Sequence, residues 1–275
     1  MPVDKMIPAR IYVRHPEMLS QQMRGRIHSI FAHSINIELG NGETRILLTA
    51  TDTEELFPDC LYLSADRLDE LHRLEIGFPV NYQSGKLCWN NRELFLETGA
   101  WSGDIRNQRC SLKMLKQTLD STDHGMELGV PPKHVERVQR NLLGLMAAFL
   151  QADDVHANEL LEQIVGLGKG LTPSTDDAIV GMLAIFYAAG NVPSCFIRSD
   201  TLTRTTDVSA KYLQCAQEGF FSQRLLNVFE ASLKSQTATN DAFNRLAEWG
   251  ASSGSDTIWG MKQALKAVLY EAEER

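Results

Sequence analysis

Residues 166–190 read GLGKGLTPSTDDAIVGMLAIFYAAG, and the fold is best understood outward from this stretch. Residues 178–189 carry no charged side chain. A helix that is apolar on every side has no face for solvent, so it belongs in a protein interior. The run is shorter than the roughly 20 apolar residues that cross a bilayer. The stretch therefore predicts a buried central helix, with Thr172 as its N-cap, Pro173 at its first position, and Asp176 and Asp177 in or near its first turn.

The chain before this helix has the pattern of β-strands. Asn-Gly between two apolar runs predicts a hairpin turn at residues 40–43. A meander with turns at residues 84–85 and 90–91 is predicted further along. The predicted strands are Arg26–Leu39, Arg45–Ala50, Cys60–Leu63, Val80–Tyr82, Lys86–Trp89 and Glu93–Glu97, with one or two helical turns at Asp66–Arg73.

After residue 101 the apolar residues recur with a period near 3.6, which predicts amphipathic helices. The polar segment 120–132 contains Gly and Pro and predicts a linker between a β-rich domain, 1–120, and an α-helical domain, 133–275. The fold class is α+β, with antiparallel hairpins and a meander preceding the helices, and no internal repeat is evident. The predicted helices are Leu112–Leu119, Lys133–Leu150, Asp154–Val165, Pro173–Ala189, Asp207–Gly219, Ser222–Lys234, Asn240–Trp249 and Asp256–Glu271.

Composition narrows the classes of function. The 275 residues carry a formal net charge of -8 and are 43% hydrophobic, as in an ordinary globular protein. An acidic chain without basic runs is a poor binder of nucleic acid, and no membrane span or signal peptide is found. Five scattered cysteines predict free thiols in a reducing cytoplasm. No metal-ligand spacing occurs, so no metal is expected, and no cofactor is identified.

The glycine-rich turn before the central helix is the first candidate site. Gly168 and Gly170 allow a backbone path close to a ligand, Lys169 supplies a positive charge, and a helix N-terminus offers N–H groups to an anion. A P-loop is excluded because Lys169 is followed by Gly170 rather than by Ser or Thr. The structural alternative is a tight turn between two helices, capped by Thr172.

The adjacent acids Asp176 and Asp177 strengthen this candidate. One acid in a first helical turn compensates the helix dipole, but two acids entering a buried helix need partners. They could bind a metal, act as a general base, or hold the glycine turn by accepting its N–H groups. The last alternative is purely structural.

Two further helices begin with similar polar clusters. Residues 203–209 contain Arg204, Thr206 and Ser209, and residues 250–257 contain small residues and Asp256. For residues 203–209 the pattern favours the structural alternative, a capping cluster, and for residues 250–257 the alternative is a flexible loop with a cap. If the three helix starts converge, they form a pocket for a small polar anion. No activated-serine signature and no well-placed histidine base accompanies them.

These three segments resemble a bacterial family of unknown-function domains typified by the AllH subunit of oxamate carbamoyltransferase. The first matching motif is a glycine-rich turn followed by LTPS-x-DD, here residues 168–177. The second is T-x-V-S-x-x-Y-L followed by Gly-[FY]-F, here from Thr206 to Leu213 and at residues 219–221. The third is [ST]-SG-x-D-[ST]-x-x-G, here residues 252–260.

The resemblance implies phosphorolysis of oxalurate to oxamate and carbamoyl phosphate, in anaerobic allantoin degradation, together with two partner subunits. In this hypothesis the site residues fall into two groups. The catalytic group is Asp176, Asp177 and Asp256. The group that binds the small anion (oxalurate, phosphate or carbamoyl phosphate) is Gly168, Lys169, Gly170, Thr172, Ser174, Arg204, Thr206, Ser209, Ser253 and Gly254.

Two functions stay open at this point. The chain is either an enzyme subunit for carbamoyl transfer or a non-catalytic subunit that binds a metabolite or scaffolds a complex. The absence of an evident nucleophile and of a histidine base favours the second. A nucleic-acid regulator is disfavoured by the negative charge.

Overall fold

The computed structural model describes residues 9–20, 22–41, 45–53, 56–100, 103–121 and 130–274. The chain forms two compact units, Met1–Gly103 and Asp104–Arg275. Strands dominate the first unit and helices the second, so the predicted α+β class is confirmed. The predicted linker falls largely on residues 122–129, which lie outside the described residues.

In the described part of the first unit, eight strands close into a barrel in the order β1-β5-β4-β3-β2-β6-β7-β8. Closure is made by β1 and β8, which run parallel from the pair Ala9–Leu96 to the pair Val13–Ala100. The strands are β1 (Ala9–Val13), β2 (Met23–Phe31), β3 (Ser34–Gly40), β4 (Arg45–Thr51), β5 (Cys60–Tyr62), β6 (Pro79–Gln83), β7 (Lys86–Trp89) and β8 (Arg92–Ala100), with helix α1 (Ala65–His72) after β5.

The structure confirms the main hairpins predicted for the β-region and closes them into a barrel, which was not predicted. The meander β6-β7-β8 and the antiparallel pair β3-β4 are confirmed. The turn predicted at residues 40–43 extends into residues 42–44, which lie outside the described residues. The single strand predicted at Arg26–Leu39 is wrong, because the chain reverses between Phe31 and Ser34, which pair across a turn that contains no glycine. Strand β1 and the parallel pairs β1-β8 and β4-β5 were not predicted, since such pairs leave no turn signal between them.

The inward-facing residues of the barrel make a continuous apolar core. Alternate positions of each strand point to opposite sides of the sheet, so one apolar residue in two is enough to fill the interior. Members of this core that are fully buried include Ile11, Met23, Ile27, Ile35, Ile37, Leu39, Leu48, Leu61 and Val80.

The second unit is helical, and α5 is its central element. Every residue of α5 except Val180 and Ala188 is buried, as predicted from its lack of charge. The predicted cap is wrong: Pro173 occupies the N-cap position, and the helix begins at Ser174. The helices are α2 (Leu112–Ser121), α3 (Pro132–Gln151), α4 (Asp154–Ile164), α5 (Ser174–Ala188), α6 (Ser199–Leu202), α7 (Asp207–Gln217), α8 (Gln223–Ser232), α9 (Gln236–Ala247) and α10 (Ser253–Glu274).

Helices α5 and α10 touch backbone to backbone at two glycines. A Cβ atom on Gly181 would lie 2.0 Å from the carbonyl oxygen of Thr257, and one on Gly260 would lie 2.0 Å from the carbonyl oxygen of Ala178. No Cβ atom tolerates such a distance, so only glycine permits this crossing. The two contacts are reciprocal, as in a symmetric helix pair.

The reciprocity has a counterpart in the sequence. Residues 174–182 read STDDAIVGM and residues 253–261 read SGSDTIWGM, so both copies fit S-x-x-D-x-I-x-G-M. The expectation of no internal repeat is therefore wrong for this segment, whose repeat spans only nine positions. The repeat makes Asp177 equivalent to Asp256, and it places each aspartate one helical turn before its crossing glycine.

Two further observations bear on the class of protein. No helix in the described part of the chain is both long and apolar enough to span a membrane. All five cysteines lie in the described residues and have free thiols.

We expect the glycine crossing to dominate the stability of the helical unit. The variant Gly260→Ala should lose at least about 3 kcal/mol of unfolding free energy, because its methyl group meets backbone that cannot give way. Urea denaturation followed by circular dichroism at the helical wavelength measures the loss.

Gly144→Ala is the matched control, since it also adds a methyl group inside a helix. There the new Cβ would lie 3.2 Å from the flexible end of Leu160. A change within about 1 kcal/mol is expected, because alanine also favours helix over glycine. Equal losses in the two variants would contradict the assignment of the crossing as a backbone contact.

Candidate functional site

The glycine-rich turn between α4 and α5 is folded tightly onto its neighbours. Gly166 has φ +82°, and a Cβ there would lie 2.2 Å from the carbonyl oxygen of Arg204. Gly168 has φ +133°, and a Cβ there would lie 2.4 Å from the backbone nitrogen of Ser174. The glycines therefore bring the turn against both the start of α5 and the segment before α7.

Asp176 is the side chain that fastens these parts together. Its Oδ1 accepts a hydrogen bond from the backbone N–H of Gly166 at 2.8 Å, and its Oδ2 accepts from the hydroxyls of Thr205 at 2.5 Å and Ser209 at 2.6 Å. Burial raises the pKa of Asp176, and these donors oppose the rise. Both carboxylate oxygens are thus engaged by protein donors, so the geometry favours a positioning role for Asp176.

Asp177 has a different environment. Asp177 is only 5% exposed, and the hydroxyls of Ser253 and Thr172 lie within hydrogen-bonding reach of its carboxylate. Its Oδ2 is buried without a hydrogen-bond partner among the described residues. Burial raises the pKa of Asp177 well above its usual value, and the negative charges of Asp256 and Asp176 raise it further.

The third segment meets the first at the same place. The hydroxyls of Thr172 and Ser253 lie 2.7 Å apart, which joins the glycine-rich turn to the start of α10. Asp256 follows in the first turn of α10 and is fully buried. Its charge acts on Asp177, so two carboxyl groups stand near each other in a site shielded from water.

The second segment meets the first at the start of α7. The hydroxyl of Thr206 donates to the carbonyl oxygen of Leu171 and accepts from the backbone N–H of Ser209, which makes Thr206 the N-cap of α7. The rings of Tyr212 and Trp249 lie 6.2 Å apart, so α7 also approaches the third segment. The first segment therefore contacts both others.

The predicted binding residues separate into exposed and buried ones. Lys169, Gly170 and Arg204 are exposed, whereas Ser174 and Gly254 are buried. A Cβ on Gly254 would lie 1.9 Å from the carbonyl oxygen of Leu246, so this glycine allows α10 to pack against the end of α9.

The N-terminus of α5 offers fewer donors to an anion than the sequence analysis expected. The backbone N–H of Thr175 donates to the carbonyl oxygen of Leu167 at 3.1 Å, and those of Asp176 and Asp177 donate to Pro173 at 2.9 Å and 3.2 Å. The turn before the helix therefore uses these groups itself. The first turn of the helix also carries the buried carboxyl groups of Asp176 and Asp177, which disfavour an anion there.

Sequence reasoning missed three residues of this region. The hydroxyl of Thr175 contacts the carbonyl oxygen of Ile164 at 2.6 Å and accepts from Leu167, and Thr205 is one of the donors to Asp176. Lys211 is 5% exposed on α7. Its position on the apolar stripe of α7, three residues after Val208, is a signal that could have found it.

Comparison with known protein families covers most of the chain. A family model described as oxamate carbamoyltransferase subunit AllH matches residues 164–265, which hold all three polar segments. A model of the AllH family N-terminal domain matches residues 9–104. The chain belongs to the AllH family. This confirms the resemblance and supports a role as a subunit of a carbamoyltransferase, while no solved structure matches the chain.

Among the described residues, no group of three or more His, Cys, Asp or Glu side chains is arranged to hold a metal ion. The hydroxyl oxygens of Thr172 and Ser253 lie beside the carboxyl group of Asp177.

Substitution by asparagine should change the unfolding free energy in different directions at the two adjacent aspartates. Asp176→Asn should lose about 2 to 3 kcal/mol of unfolding free energy, because its amide group cannot accept from all three donors that now reach the carboxylate. Asp177→Asn should lose nothing or gain about 1 kcal/mol, because the substitution removes a buried charge and puts an amide at the unpartnered oxygen.

Urea denaturation in metal-free buffer measures both variants under one condition. Each is the isosteric control of the other, since the residues are adjacent in the same helical turn. A loss for Asp177→Asn as large as that for Asp176→Asn would show that the two carboxyl groups do not differ as described.

Proposed function

We propose that this chain is a subunit of a carbamoyltransferase that converts oxalurate and phosphate to oxamate and carbamoyl phosphate. The meeting of three polar segments at the starts of α5, α7 and α10 carries the proposal, because it falls within the part matched by the oxamate carbamoyltransferase subunit model. The pathway would be anaerobic allantoin degradation in the cytoplasm. Two other subunits of the enzyme are the expected partners.

The proposed reaction requires few chemical groups from the protein. A phosphate oxygen bonds to the ureido carbon of oxalurate, and the bond from that carbon to the amide nitrogen breaks. The electron pair stays on the nitrogen, which takes the proton that hydrogen phosphate gives up. No protein nucleophile is needed, so the absence of an activated serine or cysteine is compatible with catalysis by positioning and electrostatic stabilisation.

The exposed cations are suited to the anionic ends of the substrates. Lys169 lies in the glycine-rich turn, and the carbonyl of Arg204 packs against that turn at Gly166. Both side chains are exposed, as a surface that first meets an anion requires. A guanidinium can hold a carboxylate or phosphate through two hydrogen bonds, and an ammonium acts as a point charge.

We assign the hydroxyl groups two roles: one positions a carboxylate of the site, and the others bind the substrate. Ser209 donates to Asp176, so we assign it to the positioning of that carboxylate. Thr172 and Ser253 are only half-buried, and their hydroxyls lie beside the carboxylate of Asp177. We assign these two hydroxyls to the carbamoyl group, where charge develops on the oxygen during transfer.

A non-catalytic subunit that binds a metabolite or completes a partner's site is the second candidate. The observation that favours it is the internal use of Asp176 and of the first N–H groups of α5, as in a structural brace. Production of carbamoyl phosphate by the isolated chain would exclude this candidate. Production only with both partner subunits, together with an unimpaired Asp177→Asn variant, would support it.

The coupled assay for carbamoyl phosphate also tests the anion-binding role of Lys169. Lys169→Ala, reconstituted with both partner subunits, should raise the KM for the anionic substrate about tenfold, because one charge-assisted contact of roughly 1.4 kcal/mol is lost. Lys234→Ala, an exposed lysine between α8 and α9, is the matched control. Equal KM values for the two variants would remove Lys169 from the site.

A further inference from the structure

The start of α4 and the segment 191–198 expose three large apolar side chains. Val155 in the first turn of α4 is 73% exposed, Val192 is 50% exposed and Phe196 is 61% exposed. Single exposed apolar residues are common, whereas several together indicate a surface that another molecule covers. These three residues are called the apolar patch, and they lie outside the three polar segments.

Contacts with one stripe of α4 fix the course of this segment. The hydroxyl of Ser194 donates to Oδ1 of Asp154 at 2.6 Å, and Arg198 forms an ion pair with Glu162 at 3.3 Å. The two acids are about 12 Å apart along the helix, and four residues of extended chain span about 13 Å. The chain therefore runs along α4 in an extended form, with Phe196 at its midpoint.

Alternate side chains of the segment point outward. Positions 193, 195 and 197 are buried, whereas positions 192, 194, 196 and 198 are exposed. This period of two is the pattern of extended chain lying on a protein surface. Val192 and Phe196 are thus on the outer side, separated by Ser194. Val155 joins them, because it follows directly on Asp154, the residue that Ser194 contacts.

The apolar patch is held in place from beneath. The thiol of Cys195 contacts the carbonyl oxygen of Asp154 at 3.9 Å, and the backbone N–H of Ile197 donates to the side chain of Gln217 on α7 at 2.8 Å. The segment is thereby fastened to two helices, although it belongs to neither. A surface that is already fixed loses little conformational entropy when a partner binds it.

Acidic side chains border the apolar patch. Arg198 is the only lysine or arginine in residues 153–162 and 191–200, and it is paired with Glu162 and Asp200. The patch and its surroundings therefore have the apolar centre and charged rim of a protein interface, with a net negative rim. The five acids of these two stretches are Asp153, Asp154, Glu159, Glu162 and Asp200.

Charge decides between the candidate occupants of this surface. A second copy of the chain would bring the acidic rim against itself, because a two-fold interface pairs identical patches. Like charges oppose such an association, whereas lysine and arginine around an apolar centre are attracted to the rim. The matching family model is described as an enzyme subunit, so a different chain of the same enzyme is the expected occupant.

We propose that Val155, Val192 and Phe196 form the docking surface for another subunit of the carbamoyltransferase, which presents an apolar contact ringed by basic side chains. The identity of the partner rests on the proposed function, whereas the surface rests on exposure and charge. Glu162, at one end of the surface, lies four residues before Gly166. A docked partner therefore stands beside the glycine-rich turn of the candidate site.

Binding kinetics of the full-length chain with each of the two other subunits, purified separately, test this docking surface. Phe196→Ala should raise the Kd at least about tenfold, chiefly through faster dissociation, because a central aromatic contact is lost. Phe95→Ala is the matched control, since it removes the same side chain from strand β8, where it is 68% exposed. The control should leave the Kd unchanged.

Glu159→Lys tests the acidic rim in the same assay. It should slow association about tenfold and reduce the dependence of the association rate on salt concentration, because a basic partner surface is repelled. Glu230→Lys makes the same change of charge at an exposed position of α8 and should have little effect. Equal effects of the two variants would contradict the acidic rim.

Thermal unfolding with an unchanged midpoint verifies that these exposed substitutions leave the fold intact. Wild-type affinity of the Phe196→Ala variant would overturn the docking surface, as would a wild-type chain that binds neither subunit, alone or together. Self-association of the wild-type chain in sedimentation, abolished by Phe196→Ala, would also overturn it, because the occupant would then be a second copy.

Carbamoyl phosphate assays on the same complexes separate the docking surface from the proposed function. Docking that depends on Phe196, in a complex that forms no carbamoyl phosphate, would leave the surface standing and refute the reaction. Carbamoyl phosphate formation by a complex in which the Phe196→Ala variant binds with wild-type affinity would support the reaction and overturn the surface.

Discussion

The backbone contact between α5 and α10 is the constraint on which the helical unit depends. Gly181 and Gly260 have no side chains to hold the helices apart. Each glycine therefore packs directly against the backbone of the other helix, at Thr257 and Ala178 respectively. Helices usually pack through side chains at axial separations of about 8 to 10 Å, and contact through glycine brings them closer. Position along each helix is thereby fixed, because a shift of one residue would put a Cβ into backbone.

That fixed crossing explains how the polar groups are placed. Asp177 and Asp256 stand one turn before the crossing glycines, so the contact that aligns the helices also aligns the acids. Asp176 then secures the glycine-rich turn and the start of α7 against α5 through three hydrogen bonds. A rigid apolar helix thus positions a polar group of residues drawn from three segments that are distant in sequence.

Local signals predicted much of this arrangement. The absence of charge in residues 178–189 predicted the burial of α5, and the turn residues predicted the β6-β7-β8 meander. The closure of the barrel was beyond reach, because β1 and β8 pair across most of the first unit without a turn between them. The Thr172 cap was wrong because Pro173 takes the N-cap position, while the Thr172 hydroxyl contacts the carboxylate of Asp177 and the hydroxyl of Ser253, 81 residues further on. The repeat is present in the sequence, but its structural role became clear only from the reciprocal contacts of its two glycines.

The two acids of α5 differ in what they contribute to the fold, and this difference points to function. Asp176 joins three donors and so offsets the penalty of its own burial. Asp177 keeps an oxygen that no described residue bonds, near a second carboxyl group, and this lowers the stability of the native state. A fold that needed only a polar N-terminus for α5 would be more stable with asparagine at position 177. A carboxylate that is retained there at a cost in stability is consistent with a role in function rather than in folding.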